Sequence, residues 1–279
     1  IRLHYVTAGK GRLMMFLHGF PEFWYEWKNQ LAEFGRGYQA VAPDMRGYNL
    51  SSKPTDVAQY RLRYLIEDVR ALTEHLGHKK LILVAHDWGG GVAWPFAMRH
   101  PEYVEKLIII NAPHPVIFVR ELRDNPAQKK ASQYILMHRT SEAEDILARD
   151  NYALLVNSIL KDGIERGYFT EEDKNAYVEA WSQPGALTGG LNYYRAAHLG
   201  SFAGESDDSL SADPSLFTVR VPALVIWGEK DRWLLTGNLE GLEKYVPNLT
   251  IKRIPDGSHW VIHEKPALVN SYIREFIKD

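Results

Sequence analysis

The stretch Val84-Ala85-His86-Asp87-Trp88-Gly89-Gly90-Gly91 constrains this chain more than any other. A run of β-formers, Leu81-Ile82-Leu83-Val84, leads into it, and three glycines follow. That order predicts a buried strand, a sharp turn and a helix, with Asp87 at the apex. An apex held in a strained φ/ψ region needs small neighbours, which Ala85 and Gly89 supply. A carboxylate at such an apex can attack an sp³ carbon, forming an alkyl ester that water must then hydrolyse. The simpler use of Asp87 is to cap the following helix; partners elsewhere in the chain argue for the chemical one.

The rest of the chain supplies a frame for that turn. Leu3 to Thr7 reads as an edge strand, and 13–17 and 39–42 as buried strands. Residues 60–76 carry Leu62, Leu65, Ile66, Val69, Leu72 and Leu76, a helical stripe that Gly77 ends. A strand over 81–85, a helix over 90–99 and a strand over 104–110 follow, so the order β-α-β-α-β predicts an α/β fold: a mostly parallel sheet covered by helices. The rhythm breaks at Pro115. From there to residue 216 the chain reads as helices, with capping boxes expected at Ser141/Glu144 and Thr170/Asp173, a helical segment over 152–160 and a loop over 201–214. Strands resume at 223–227 and 250–254, and Pro266 opens a final helix. The expected division is a core of residues 1–114 and 217–279 with a helical insertion, 115–216, over the sheet.

Composition removes several functions. With no cysteine among 279 residues, thiolate catalysis, disulfides and zinc–thiolate sites are excluded. A formal net charge of -2 provides no basic surface for nucleic acid, and no apolar run is long enough to span a membrane. A cytoplasmic monomer or homodimer, without metal or organic cofactor, is expected.

A nucleophilic carboxylate needs a base to activate the hydrolytic water. His259, in Asp256-Gly257-Ser258-His259-Trp260, follows a predicted strand and precedes the last helix. Asp231, after the preceding strand, would orient its imidazole; Glu229 is the competing acid. His259 and His263 stand four apart, but Trp260 breaks the zinc-protease pattern. His18-Gly19-Phe20-Pro21 follows another strand, and the N–H groups of Phe20 and Trp88 are expected to face the ester oxygen. His18 is expected to hold that loop, and so tight a turn at Pro21 is compatible with a cis bond. Phe20, Trp24, Trp88, Pro113 and His114 are candidate pocket residues.

These residues carry a resemblance. His18-Gly19-Phe20-Pro21-Glu22, Asp44-Met45-Arg46-Gly47-Tyr48, His86-Asp87-Trp88-Gly89-Gly90 and Gly257-Ser258-His259-Trp260 are similar, in order and over nearly the whole chain, to an epoxide hydrolase of the α/β-hydrolase superfamily, of the bacterial soluble type with a helical cap. The resemblance implies the chain order nucleophile, acid, histidine, a cap inserted after the sixth core strand, and two cap tyrosines that hydrogen-bond the epoxide oxygen. The tyrosines map onto Tyr134 and Tyr194. Sequence alone does not separate Tyr194 from Tyr193, and Tyr152 and Tyr177 lie near Tyr134 in chain order. Related haloalkane dehalogenases usually have Asn at the position of Phe20 and lack the tyrosine pair. Fluoroacetate dehalogenases have Arg where this chain has Trp88, and serine esterases have Ser at position 87. The one mild departure is Ala85, where Gly is common.

The expected substrates are therefore a mostly apolar, small-molecule epoxide and water. Carbon–halogen cleavage by the same aspartate, and an idle hydrolase fold that only binds ligand, are the competing readings.

Overall fold

The computed structural model describes residues 1–197 and 214–278. Among the described residues, seven strands form one sheet: β1 (Tyr5–Ala8), β2 (Leu13–Leu17), β3 (Gln39–Pro43), β4 (Leu81–His86), β5 (Val104–Ile110), β6 (Ala223–Gly228) and β7 (Leu249–Ile254). Their order is β1-β3-β2-β4-β5-β6-β7. β1 runs antiparallel to β3, and every other pairing is parallel.

The sheet separates two apolar layers. Leu81, Leu83 and Ala85 of β4 point to one face, Ile82 and Val84 to the other, as the two-residue period of a strand requires. Helices α2 (Leu62–His75) and α3 (Trp88–Arg99) cover the first face through Leu65, Ile66, Val69, Val92 and Phe96. Helix α1 (Lys28–Phe34) and the C-terminal helix (Pro266–Ile277) cover the second through Leu31, Phe34, Val269 and Ile273. Each such side chain contributes about 1.5–3 kcal/mol on full burial, so the paired register is held strongly. α2 starts at Leu62, not Tyr60, because Asp56 caps a separate 3-10 turn, Val57–Tyr60, and Arg61 is extended. α3 starts two residues before the expected Gly90, directly at the turn.

The helical insertion follows β5. The resemblance implies a sixth strand there; the described sheet ends at β1, so one fewer strand precedes the break. The insertion comprises α4 (Pro115–Asp124), α5 (Pro126–Ala131), α6 (Tyr134–His138), α7 (Ala143–Leu155), α8 (Lys161–Arg166), α9 (Glu171–Ser182) and α10 (Ala186–Ala196). Thr170 and Asp173 form the expected capping box on α9. Ser141 and Glu144 do not: Ser141 donates to Glu142, while both Glu144 oxygens pair with Arg195 of α10. The helix expected over 152–160 is interrupted. Asp150, Asn151 and Tyr152 have positive φ inside α7, and residues 156–160 form a π-turn. The loop expected over 201–214 lies almost wholly outside the described residues.

Cap and sheet are joined by polar anchors. The Trp181 indole N–H donates to the Pro21 carbonyl at 2.6 Å, and the Tyr193 hydroxyl to the Arg46 carbonyl at 2.9 Å. Tyr25 reaches Asp173 at 2.8 Å. Among the described residues, no helix is long and apolar enough to cross a membrane.

Candidate active site

Parallel register brings the strand ends level. Leu17 of β2 is opposite Ala85, His86 of β4 is opposite Ile110 of β5, and Gly228 of β6 is opposite Ile254 of β7. The residues just beyond these ends therefore share one rim, where open parallel sheets gather ligands. Asp87, Asp231, His259 and the 18–21 loop all lie there.

Asp87 has φ 47° and ψ -121°, a strained apex between β4 and α3. A side chain at Gly19 would run into the Asp87 carboxylate, and one at Gly89 into the Leu17 carbonyl. Only glycine lets the two loops approach this closely. The Phe20 N–H donates to Asp87 Oδ1 at 2.8 Å. Oδ2 faces His259 Nε2 at 3.7 Å. Trp88 N, at the first residue of α3, is the other N–H adjoining the apex.

His259 is buried, and its Nδ1 lies 2.6 Å from Asp231 Oδ2. Asp231 is fixed in turn. Its Oδ1 accepts from the N–H groups of Trp233 and Leu234, and its Oδ2 from Asn111 Nδ2 at 2.8 Å. Asn111 also accepts the Gly228 N–H through Oδ1, clamping the ends of β5 and β6 together. Glu229 points elsewhere, pairing with Arg253 at 3.0 Å. His18 is a loop brace: Nδ1 donates to the Gly19 carbonyl and Nε2 accepts the Met45 N–H, with burial pushing its pKa down. The Phe20–Pro21 peptide is cis.

The cap supplies an aromatic wall. The Tyr194 ring stands edge-on to Trp88 (5.0 Å between centroids), Phe20 (5.4 Å) and His138 (4.6 Å). Tyr134 lies 6.2 Å from Tyr194 and 5.3 Å from His138. Burial, then the charge of Asp87, pushes the Tyr134 phenol well above its ordinary pKa; burial, Tyr134 and Asp87 do the same to Tyr194. Both therefore stay protonated donors. Tyr193 turns the other way, to Arg46, and Tyr177 donates to Glu22. Tyr152 packs on Trp181.

Three pocket candidates fare differently. Pro113 sits half-buried between β5 and α4. Trp24 packs on Phe23 and Tyr25 and donates its N–H to Asp44. His114 is a correction: its ring is buried between Trp94 and Tyr245, and Nε2 bonds the Phe217 carbonyl at 2.9 Å. The apolar fit to those rings turns it into the core, and burial pushes its pKa down to about 4.

Sequence reasoning passed over Asn111 and His138, and did not bring Glu22, Glu26, His86 and His263 together as one buried cluster. The ligand-type atoms of Glu22, Glu26 and His263 lie within 4.8 Å of one another. Glu22 is already engaged on both oxygens, by His263 at 3.0 Å and by Tyr177. Burial opposes its charge, but His263 and Tyr177 outweigh that and hold its pKa low. His263 therefore points to Glu22 and not, with His259, to a shared metal.

A family model described as the alpha/beta hydrolase fold matches residues 12–266. The chain belongs to the α/β-hydrolase family. Within it, the chain is 42% identical to the AB hydrolase superfamily protein YfhM of Bacillus subtilis (strain 168), over all of this chain and 95% of that one. It is 38% identical to epoxide hydrolase 3 of Xenopus tropicalis, over all of this chain and 75% of the relative. Among solved structures, an epoxide hydrolase of Bacillus megaterium in complex with an inhibitor superposes with a TM-score of 0.92 at 41% identity, covering 99% of this chain and 97% of that one. This α/β-hydrolase thus has, at the strand ends, a carboxylate where serine family members carry a hydroxyl.

Proposed function

We propose that this protein is an epoxide hydrolase that converts an uncharged, mostly apolar epoxide and water to a vicinal diol. The observation that carries the reading is the Asp87 carboxylate itself. One oxygen is held by the Phe20 N–H and the other lies 3.7 Å from His259 Nε2, while the rings of the neighbouring Phe20 and Trp88 carry Tyr194 of the cap, with Tyr134 packed beside it.

In the first step Asp87 Oδ2 attacks a ring carbon and the carbon–oxygen ring bond breaks. Tyr134 and Tyr194 hydrogen-bond the departing oxygen, and one of them gives it a proton. The product is a hydroxyalkyl ester of Asp87. In the second step His259 Nε2 removes a proton from water, and the resulting hydroxide attacks the ester carbonyl carbon. Asp231 stabilises the imidazolium that forms. The N–H groups of Phe20 and Trp88 face the oxygen on which negative charge develops. Collapse breaks the ester carbon–oxygen bond, the departing alkoxide takes the proton of the new Asp87 carboxyl to leave as the diol, and the imidazolium proton restores the tyrosine. Burial pushes His138 down to about 4, so this wall carries no cation at neutral pH, which favours uncharged substrates.

The test is a single turnover in ¹⁸O-labelled water. Label entering the Asp87 carboxyl, with unlabelled oxygen in the first diol, supports the ester route. Label entering the diol directly in that turnover overturns it. Halide release from haloalkanes, with no diol from epoxides, favours the dehalogenase reading.

A further inference from the structure

Behind His259 lies a set of buried groups that the reaction above does not use. Glu26, in the 3-10 turn Trp24–Trp27, is fully buried. Its Oε1 lies against Nδ1 of His86, the residue before Asp87. Apart from that contact, neither Glu26 oxygen nor His86 Nδ1 has a hydrogen-bonding partner among the described residues. On the other edge of the ring, His86 Nε2 is 3.0 Å from the backbone carbonyl oxygen of His259. The two imidazoles are 4.6 Å apart, tilted by 49°.

Proton bookkeeping follows from these contacts. A carbonyl oxygen only accepts, so His86 Nε2 carries a hydrogen. Nδ1 then accepts a hydrogen bond from the protonated Glu26 carboxyl. Acid and imidazole are each neutral in this form. The other ionisable groups acting on Glu26 are Glu22, His263, Asp87 and His259, and Glu22 and His263 already compensate each other. Burial pushes Glu26 well up and His86 down, which agrees with an acid facing a neutral imidazole.

We infer that Glu26 is a positioning residue for ester hydrolysis: it holds His86 with its Nε2–H on the His259 carbonyl, fixing the backbone of the base while Asp231 fixes its ring. The inference rests on the epoxide hydrolase reading. Without Glu26, His86 is free to carry its hydrogen on Nδ1. Its Nε2 lone pair would then face the carbonyl lone pairs and push the His259 backbone away. A second, uncompensated proton on His86 would stand beside the ring that must itself become positive. Ester formation, which needs Asp87 and the tyrosines, does not involve this arm.

The test compares Glu26→Leu and Glu26→Gln in the full chain, with ester formation and ester hydrolysis followed separately by intact-protein mass and diol release. Glu26→Leu, with no donor for Nδ1, is expected to slow hydrolysis about tenfold, since small misplacements of catalytic groups have large rate effects, and to accumulate ester formed at the normal rate. Glu26→Gln, whose amide donates to Nδ1, recovers most of that loss. In the wild-type protein, ¹⁵N-histidine NMR at pH 7 should show His86 neutral, with hydrogen on Nε2 and Nδ1 accepting. Normal hydrolysis by Glu26→Leu, equal slowing of both steps, or hydrogen on Nδ1 alone overturns the inference. If Glu26→Leu does not fold, the wild-type tautomer decides. If no variant and no wild-type protein forms an ester, the reaction reading fails, and the tautomer measurement still reports on Glu26.

Discussion

The sheet side and the cap side of the candidate site are built by different forces. Asp87, Asp231 and His259 sit one to five residues beyond strand ends whose register is set by the backbone ladder. Asp231 alone accepts two backbone N–H groups and an Asn111 amide besides facing His259. Tyr134 and Tyr194 instead ride on helices of five and eleven residues and are placed mainly by ring packing against Phe20, Trp88 and His138. The difference teaches that the groups proposed to make and break bonds are fixed by directional contacts, while the phenols proposed to hold the leaving oxygen are fixed by apolar shape. Substitutions on the sheet side should act on chemical steps nearly all-or-none. Those on the cap side should act in graded fashion, and differently for different substrates.

The largest expected effect is at Asp87. A freshly prepared, undeamidated Asp87→Asn variant should lose turnover by roughly 10⁵-fold, the scale of removing a nucleophile, with no ester visible by mass. Appreciable turnover would break the comparison at its centre. Next, His259→Gln should form ester normally but hydrolyse it about 10³-fold more slowly, the loss of a general base; a trapped mass adduct after one turnover reads it. On the cap side, Tyr134→Phe or Tyr194→Phe alone should slow ester formation about tenfold, and the pair about 10³-fold, since one donor partly covers for the other. Stopped-flow ester formation checks this, and a single variant as damaging as the pair would show that only one phenol serves.

Smaller effects appear in stability. His114 on the sheet side and His138 in the cap have folded pKa values depressed from 6.5 to about 4. The unfolded chain binds these protons first, so their contribution is fully present above pH 6.5 and is lost as pH falls toward 4, up to about 3 kcal/mol each. The urea midpoint should fall as pH is lowered across that window. His114→Gln, which keeps a donor for the Phe217 carbonyl without the titration, should flatten the sheet-side share and leave that of His138.

Much of the sheet side is legible in the sequence. Runs such as Leu13–Leu17 and Val104–Ile110 are buried strands with few other uses, and residues just past strand ends are few enough to sort by chemistry. The sequence pattern favours Asp231 over Glu229, and the structure adds a reason, since Arg253 draws Glu229 away. The cap was less legible because its contacts are distant in sequence. The break at Asp150–Tyr152 contains no glycine or proline to announce it. Glu144 meets Arg195 across 51 residues, not its neighbour Ser141. The Glu22–Glu26–His86–His263 cluster draws on three separated segments, none of which looks unusual alone. His114 reads as pocket lining by its place after a strand, but ring packing rotates it inward.

Tyr193 and Tyr194 are adjacent on α10, yet one is tethered to the Arg46 carbonyl and the other looks onto Trp88. Because neighbours on a helix diverge by about 100°, the tether acts as an index mark for the whole helix: any turn that brought a different side chain toward Asp87 would first tear Tyr193 from its mooring. New substrate preferences in this scaffold are therefore more readily acquired by resizing His138 or Phe20 around a fixed phenol than by rolling α10, and a library restricted to those two positions should yield more active variants than one spread along the helix.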